Sequence, residues 1–174
     1  MTSTASPVTE WMSALAESSG SPGGGAASAL MLGVAAGLTS MVAGYNDQPD
    51  MVQRARRLQQ AALELADADA AVSEAFGTAF REHGDTRQAS LRAAGSSAAL
   101  GDLALEAVAD VEWLAEHGRH ALVADVAVAR AALRAALVGA RANLEFDLDA
   151  GGGIHTALIE RLDAAIARLE EPAR

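Results

Sequence analysis

Two aspartates and an asparagine stand out for the chemistry their side chains offer. Asp69 shares one side of a helical pattern with Val72, Phe76 and Phe80, whereas Asp67 lies nearer Glu64 and Glu74. A carboxylate on an apolar face calls for a partner, a raised pKa, or both. The ordinary partner is an arginine from another helix. Asp125 stands near the start of a later helical stretch, where an aspartate complements the helix dipole. Asn143 follows it eighteen residues on, five turns at about 3.6 residues per turn, so the two share a face and lie ~27 Å apart. They can line opposite ends of a groove but cannot share one ligand atom.

The third chemical feature is "SPGGG", Ser21 to Gly25, which opens a helix. Pro22, Gly23, Gly24 and Gly25 present little side chain. Glycine lets backbone N–H groups approach a ligand without Cβ obstruction, and a helix start offers unpaired N–H donors and a partial positive charge. A plain turn has the same composition. The stretch lacks the Lys-Ser/Thr of a P-loop and follows no strand, which disfavours nucleotide binding. Arg130, Arg134 and Arg141 share another face of the later helix, as a solvated stripe or as a positive patch for a carboxylate ligand. His83, His117, His120 and His155 fall near predicted breaks and form no HxxxH or HExxH pair, so no metal is expected. There is no cysteine and no Gly-x-Ser-x-Gly elbow.

The elements that must position these groups read as helices. Of the 174 residues 51% are hydrophobic and only 3% aromatic, so the apolar mass is mostly Ala, Leu and Val. That balance favours an all-α domain with closely packed helices. Helices are predicted over Val8–Ser18, Gly25–Gly44, Met51–Glu82, Asp85 or Thr86 to Glu116, Leu122–Leu144 and Ile154–Glu170. The breaks are Ser19–Gly25, "GYNDQPD", "HGDT", "HGRH" with Gly118 as a helix stop, and a flexible "DAGGG" connection, Asp149–Gly153; "AGSS", Ala94–Ser97, is a weak point in the fourth helix. One domain spans 1–174, with residues 1–7 and 171–174 expected to be flexible.

Two helices carry stripes of small residues at spacings of three and four: Ala26, Ala29, Gly33, Gly37, Ser40 and Gly44 in the second, and Ala129, Ala132, Ala136 and Gly139 in the fifth. Such stripes serve close helix packing or wall a groove for a flat ligand. No charge occurs between Glu17 and Asp47. The run is long enough to span a bilayer but holds Gly, Ser and Thr throughout and lacks flanking Lys or Arg. A central or subunit-contact helix is the better reading. The net charge is −10, with every basic residue an Arg and no basic tract, which argues against nucleic acid. Without cysteines or a signal-like N-terminus, a cytoplasmic protein is expected.

"SPGGGAASALMLGVAAGLTSMV", then "LELADADAAVSEAFGTAF", then "HALVADVAVARAALRAALVGARANL", in this order, resembles the cyclodeaminase/cyclohydrolase family, the C-terminal domain type of formiminotransferase-cyclodeaminase. The resemblance covers residues 8 to 148. It departs from the family pattern at Ala26 and Ala124, where serine is usual, at Ser96-Ser97 in place of Val-Pro, and at Gly139 in place of asparagine. The resemblance implies a helical homodimer with a folate cleft near its contact. It also implies ammonia release from 5-formiminotetrahydrofolate, or hydration chemistry at a methenyl bridge. The folate is then substrate, and no tightly bound cofactor is expected. Asp125 and Asp69 are the implied catalytic carboxylates, Pro22 to Gly25 and Asn143 the implied substrate contacts. The alternative is a non-catalytic helical homodimer that keeps the fold.

Overall fold

In the computed structural model the described residues are 3–18, 21–82, 84–151 and 156–170. They form six α-helices: α1 (Val8–Ala16), α2 (Gly24–Tyr45), α3 (Pro49–Arg81), α4 (Thr86–His117), α5 (Val123–Gly151) and α6 (Thr156–Glu170), with a 3-10 turn at His120–Leu122 before α5. No strand occurs among the described residues, as the composition predicts. The break residues Ser19, Gly20 and His83, the start of the last helix at Ile154, and the expected flexible 171–174 lie outside the described residues, as do His155, Gly152 and Gly153.

Local chemistry explains the boundaries. Pro49 starts α3 at a position where its missing N–H is not needed. The Asp85 carboxylate caps α4 by accepting the Gln88 N–H at 2.9 Å. The α2–α3 turn places Asp47 at φ 55°, and Asn46 accepts the Arg119 N–H at 3.0 Å, tying that turn to the one between α4 and α5.

Antiparallel pairing follows from the small residues. Gly25 of α2 faces Asp69 of α3, Gly33 faces Ala62 and Leu63, and Gly44 faces Val52. Farther along, Arg54 of α3 makes a two-pronged ion pair with buried Asp110 of α4 at 2.7 and 3.1 Å. Helix α5 returns along α2, with Asn143 beside Gly24 and Gly139 against Ser28. The second helix is therefore the centre of the bundle, packed on α3, α5 and α4. It is long and apolar enough to cross a bilayer, and its Leu32, Ala35, Ala36, Val42 and Ala43 are fully buried. That enclosure explains the lack of charge on its buried sides, while Met31, Val34, Met41 and Tyr45 remain exposed.

Three expectations need correction. The "AGSS" weak point is continuous helix, with Ala94 and Ser97 buried against the neighbouring helices. The fifth helix does not stop at Leu144 but reaches Gly151, so Asp149 to Gly151 are helical rather than flexible. Leu148 is in the core, and buried Gly151 lies under Leu91 while its carbonyl accepts the Arg87 side chain. Tertiary packing thus overrides the local preference of glycine. Third, Arg130, Arg134 and Arg141 are neither a solvated stripe nor a patch awaiting a ligand. Arg130 donates to the carbonyls of Leu169 and Arg168, Arg134 pairs with Glu170, and Arg141 pairs with Asp163. All three tie α5 to α6, and the first caps the α6 C-terminus.

The apolar side of α6 is anchored by fully buried Leu162, which packs where Gly101 of α4 leaves room for it. Leu162→Ala is expected to lower the unfolding free energy by about 2–5 kcal/mol, read as a lower urea midpoint. An unchanged midpoint would mean that α6 contributes nothing there.

Candidate active site

The first turn of α2 has no side-chain cap of its own. Its acceptor comes from another helix. The Ala26 N–H hydrogen-bonds the Asp69 carboxylate, and Asp69 is 8% exposed. A Cβ on Gly25 would collide with both carboxylate oxygens. Glycine at this position is therefore what admits the carboxylate to the helix N-terminus, where negative charge is stabilised. The group Ala26 contributes is a backbone N–H, which does not depend on the side chain at this position.

Among the described residues Asp69 has no arginine partner, contrary to the ordinary expectation. Ser96 of α4 donates to its Oδ1 at 3.1 Å, and Ser73, one turn along α3, reaches Oδ2 at 3.5 Å. Burial pushes the carboxyl pKa up, and the Ser96, Ala26 and Ser73 donors oppose that rise. The aromatic side expected around it is only partly formed: Val72 and Phe76 are half-buried and Phe80 is exposed. Asp67 faces elsewhere and accepts the Thr4 N–H at 2.7 Å and its hydroxyl at 3.1 Å, fastening the N-terminal segment.

Across the opening of α2 stands α5. A Cβ on Gly24 would lie 3.4 Å from Asn143 Oδ1, an ordinary contact. Gly24 is exposed, Gly23, Gly25 and Asn143 are half-buried, and Pro22 is buried beneath them. One turn beyond Asn143 comes Asp147, a residue that sequence reasoning missed. Ser97 donates to its Oδ2 at 3.4 Å. Burial raises the Asp147 pKa to about 6, opposed by the Ser97 bond and assisted by the nearby Asp69 charge. The i, i+4 spacing of Asn143 and Asp147 places both on one helix face and was the available signal. Ser96 and Ser97, read as mere departures from a pattern, hold the two carboxyls. Gly139, another departure, makes room for Ser28, whose hydroxyl donates to the Gly24 carbonyl at 2.7 Å.

The site thus gathers Gly23 to Gly25, Asp69, Asn143, Asp147 and the two serines. It does not gather Asp125 within one chain. Helix α5 is unbroken from Val123 to Gly151, so Asp125 remains ~27 Å from Asn143, half-buried at the other end of the bundle. No group of acidic and histidine side chains suited to a metal occurs among the described residues. At Asp125's end a cavity of about 670 Å³ is lined by Leu114, Arg119, His120, Val126, Arg130 and Arg134. Most of its cations are committed: Arg119 to Asp47, Arg130 to the end of α6 and Arg134 to Glu170.

An all-helical bundle with two carboxyls at the glycine-rich start of its central helix is the class this structure defines. The sequence profile of formiminotransferase-cyclodeaminase matches residues 7–151, and the chain belongs to that family. A crystal structure of formiminotetrahydrofolate cyclodeaminase from Thermotoga maritima has the same fold, with a TM-score of 0.77 over 95% of this chain and 89% of that one at 21% identity. No curated protein is similar enough to the chain to match it.

The raised pKa of Asp147 has a consequence for stability. The folded state binds this proton more tightly than the unfolded chain, so the group's favourable contribution is complete below about pH 4 and is lost as pH rises through about 6. Asp147→Asn, which keeps the shape and removes the charge, is expected to be more stable relative to wild type at neutral pH than at about pH 4. Urea midpoints measured across that range check this; parallel curves would contradict the assigned environment.

Proposed function

We propose that this protein acts on the one-carbon unit of a tetrahydrofolate derivative. The reaction is closure of a formimino group with ammonia release, or hydration chemistry at the methenyl bridge. The observation that carries the reading is the buried Asp69 carboxylate at the N-terminus of α2, facing Asn143 across Gly24 and Gly25. In cyclodeamination N10 attacks an amidine carbon and the exocyclic nitrogen leaves as ammonia. A fixed carboxylate stabilises the cationic amidinium, and a titratable one moves the proton. Gly23 to Gly25 form a wall that a flat ring system can approach, and Asn143 offers both a donor and an acceptor to pterin edges.

The proposal includes a homodimer. Helix α2 exposes Met31, Val34, Met41 and Tyr45. With half-buried Leu38 they recur at spacings of three and four, the pattern of a helix-pairing seam. A two-fold axis near Leu38 sets Met31 against Tyr45 and Val34 against Met41, so the seam is self-complementary when two copies run antiparallel. The far end of α2 packs with Val126 at the start of α5. Antiparallel pairing therefore carries a second copy's α5 start towards the Gly24 end of the first. This gives Asp125 a route to the folate that it lacks within one chain.

The test begins with wild type, supplied with 5-formiminotetrahydrofolate and 5,10-methenyltetrahydrofolate, reading ammonia and near-ultraviolet absorbance. Rates no faster than buffer on both substrates would contradict the enzyme and favour the non-catalytic homodimer. Asp69→Asn and Asp125→Asn are each expected to lose activity. Refolding the two variants together in equal amounts is expected to restore about a quarter of the wild-type rate, since half of the dimers then carry one intact site. No recovery from the mixture would remove Asp125 from a shared site.

A further inference from the structure

Asp69 and Asp147 are bound by adjacent residues of α4, Ser96 and Ser97, yet they are held very differently. Asp69 is nearly enclosed, and three donors fix it: the Ala26 N–H, Ser96 and Ser73. It also caps α2, so protonating it weakens the helix start on which the site is built. Asp147 is half-buried and receives one long bond, from Ser97, leaving its Oδ1 without a partner among the described residues. It stands one turn from Asn143, on the face that lines the opening of α2.

Of the cations on the neighbouring helices, Arg92 of α4, one turn before Ser96, is exposed and pairs with neither carboxyl. Arg87 of α4 donates to the Gly151 carbonyl, and Arg141 of α5 binds Asp163 of α6 and Glu145. No arginine forms an ion pair with either carboxyl among the described residues. Two neighbouring carboxyls without a cation hold one proton between them more readily than they hold two negative charges. The less constrained member is the one free to exchange it.

We infer that Asp147 is a catalytic acid of this site, delivering a proton to the leaving nitrogen while Asp69 remains the fixed anion that positions the cationic carbon. This rests on the folate reading above. In the deaminase reaction the N10–carbon bond forms and the bond from that carbon to the exocyclic nitrogen breaks. The N10 proton passes to the leaving nitrogen, and one further proton comes from the Asp147 carboxyl. Ammonia and the methenyl cation result, and solvent returns the proton to the carboxylate. The serine pair acts through the carboxyls. Ser96 fixes the anion, and Ser97 orients the acid by donating to Oδ2, so that Oδ1 is the oxygen that faces the reaction.

The test is the rate of ammonia release from 5-formiminotetrahydrofolate by the full chain. Asp147→Asn is expected to lower kcat by about a hundredfold, with KM within about threefold and without the alkaline fall of kcat that the inference predicts for wild type. Asp147→Glu is expected to recover part of kcat, and Ser97→Ala to lose much less than Asp147→Asn. Circular dichroism melts establish that each variant is folded. Wild-type kcat in Asp147→Asn overturns the inference while the folate reading stands, and so does a loss confined to KM. A wild type inactive on every folate overturns both, which separates the two failures.

Discussion

The structure turns on one interaction, the Asp69 carboxylate seated in the space that a side chain on Gly25 would fill. It joins α3 to the N-terminus of α2 and satisfies a helix donor that has no local cap. It also brings a charge into the bundle where the helix dipole offsets part of the desolvation cost. The constraint reaches α4 as well, because the remaining lone pairs of a buried carboxylate need donors, and Ser96 supplies one. A helix built from Ala and Gly is what makes so close an approach of three backbones possible. The fold and the site are therefore one arrangement: the small residues that pack α2 are those that leave room for the polar groups at its start.

Much of this was legible in the amino-acid order. Pro49, Asp85 and the "GYNDQPD" turn mark their helix ends by local chemistry, and the structure places the ends within a few residues of the expected positions. The colinear segments around Gly23 to Gly25, Asp69 and Asn143 indicated the family, and the profile and the fold both bear that out. The glycine turn, Asp69 and Asn143 are neighbours in space although they come from three helices.

What was not legible depends on contacts between helices. Nothing local says that "DAG" continues α5, because the reason is Leu148 in the core and Gly151 beneath Leu91. An arginine was the natural partner for a buried aspartate, and the serines that take its place are Ser96, 27 positions away on α4, and Ser73, one turn along α3. Asp147 escaped notice because "NLEFDLD", with three acidic residues in seven, has the look of a surface stretch until α4 places Ser97 beside Asp147. The exchanges at Ala26, Ser96-Ser97 and Gly139 looked like losses when read one at a time. In the structure Ala26 contributes a backbone group, the serines hold carboxyls, and Gly139 is matched by Ser28. Together they make the start of α2 a polar centre.

The central claim is that the glycine-rich start of α2 and its two carboxyls form the folate site. The most direct measurement is a backbone amide NMR titration with 5-formyltetrahydrofolate, in which oxygen replaces the formimino nitrogen. The account predicts saturable shifts centred on Gly24 to Ala27, Ser96-Ser97 and Asn143 to Asp147. Shifts centred instead on His120, Val126 and Arg130 around the cavity at the other end of the bundle, or no saturable shifts at all, would contradict it.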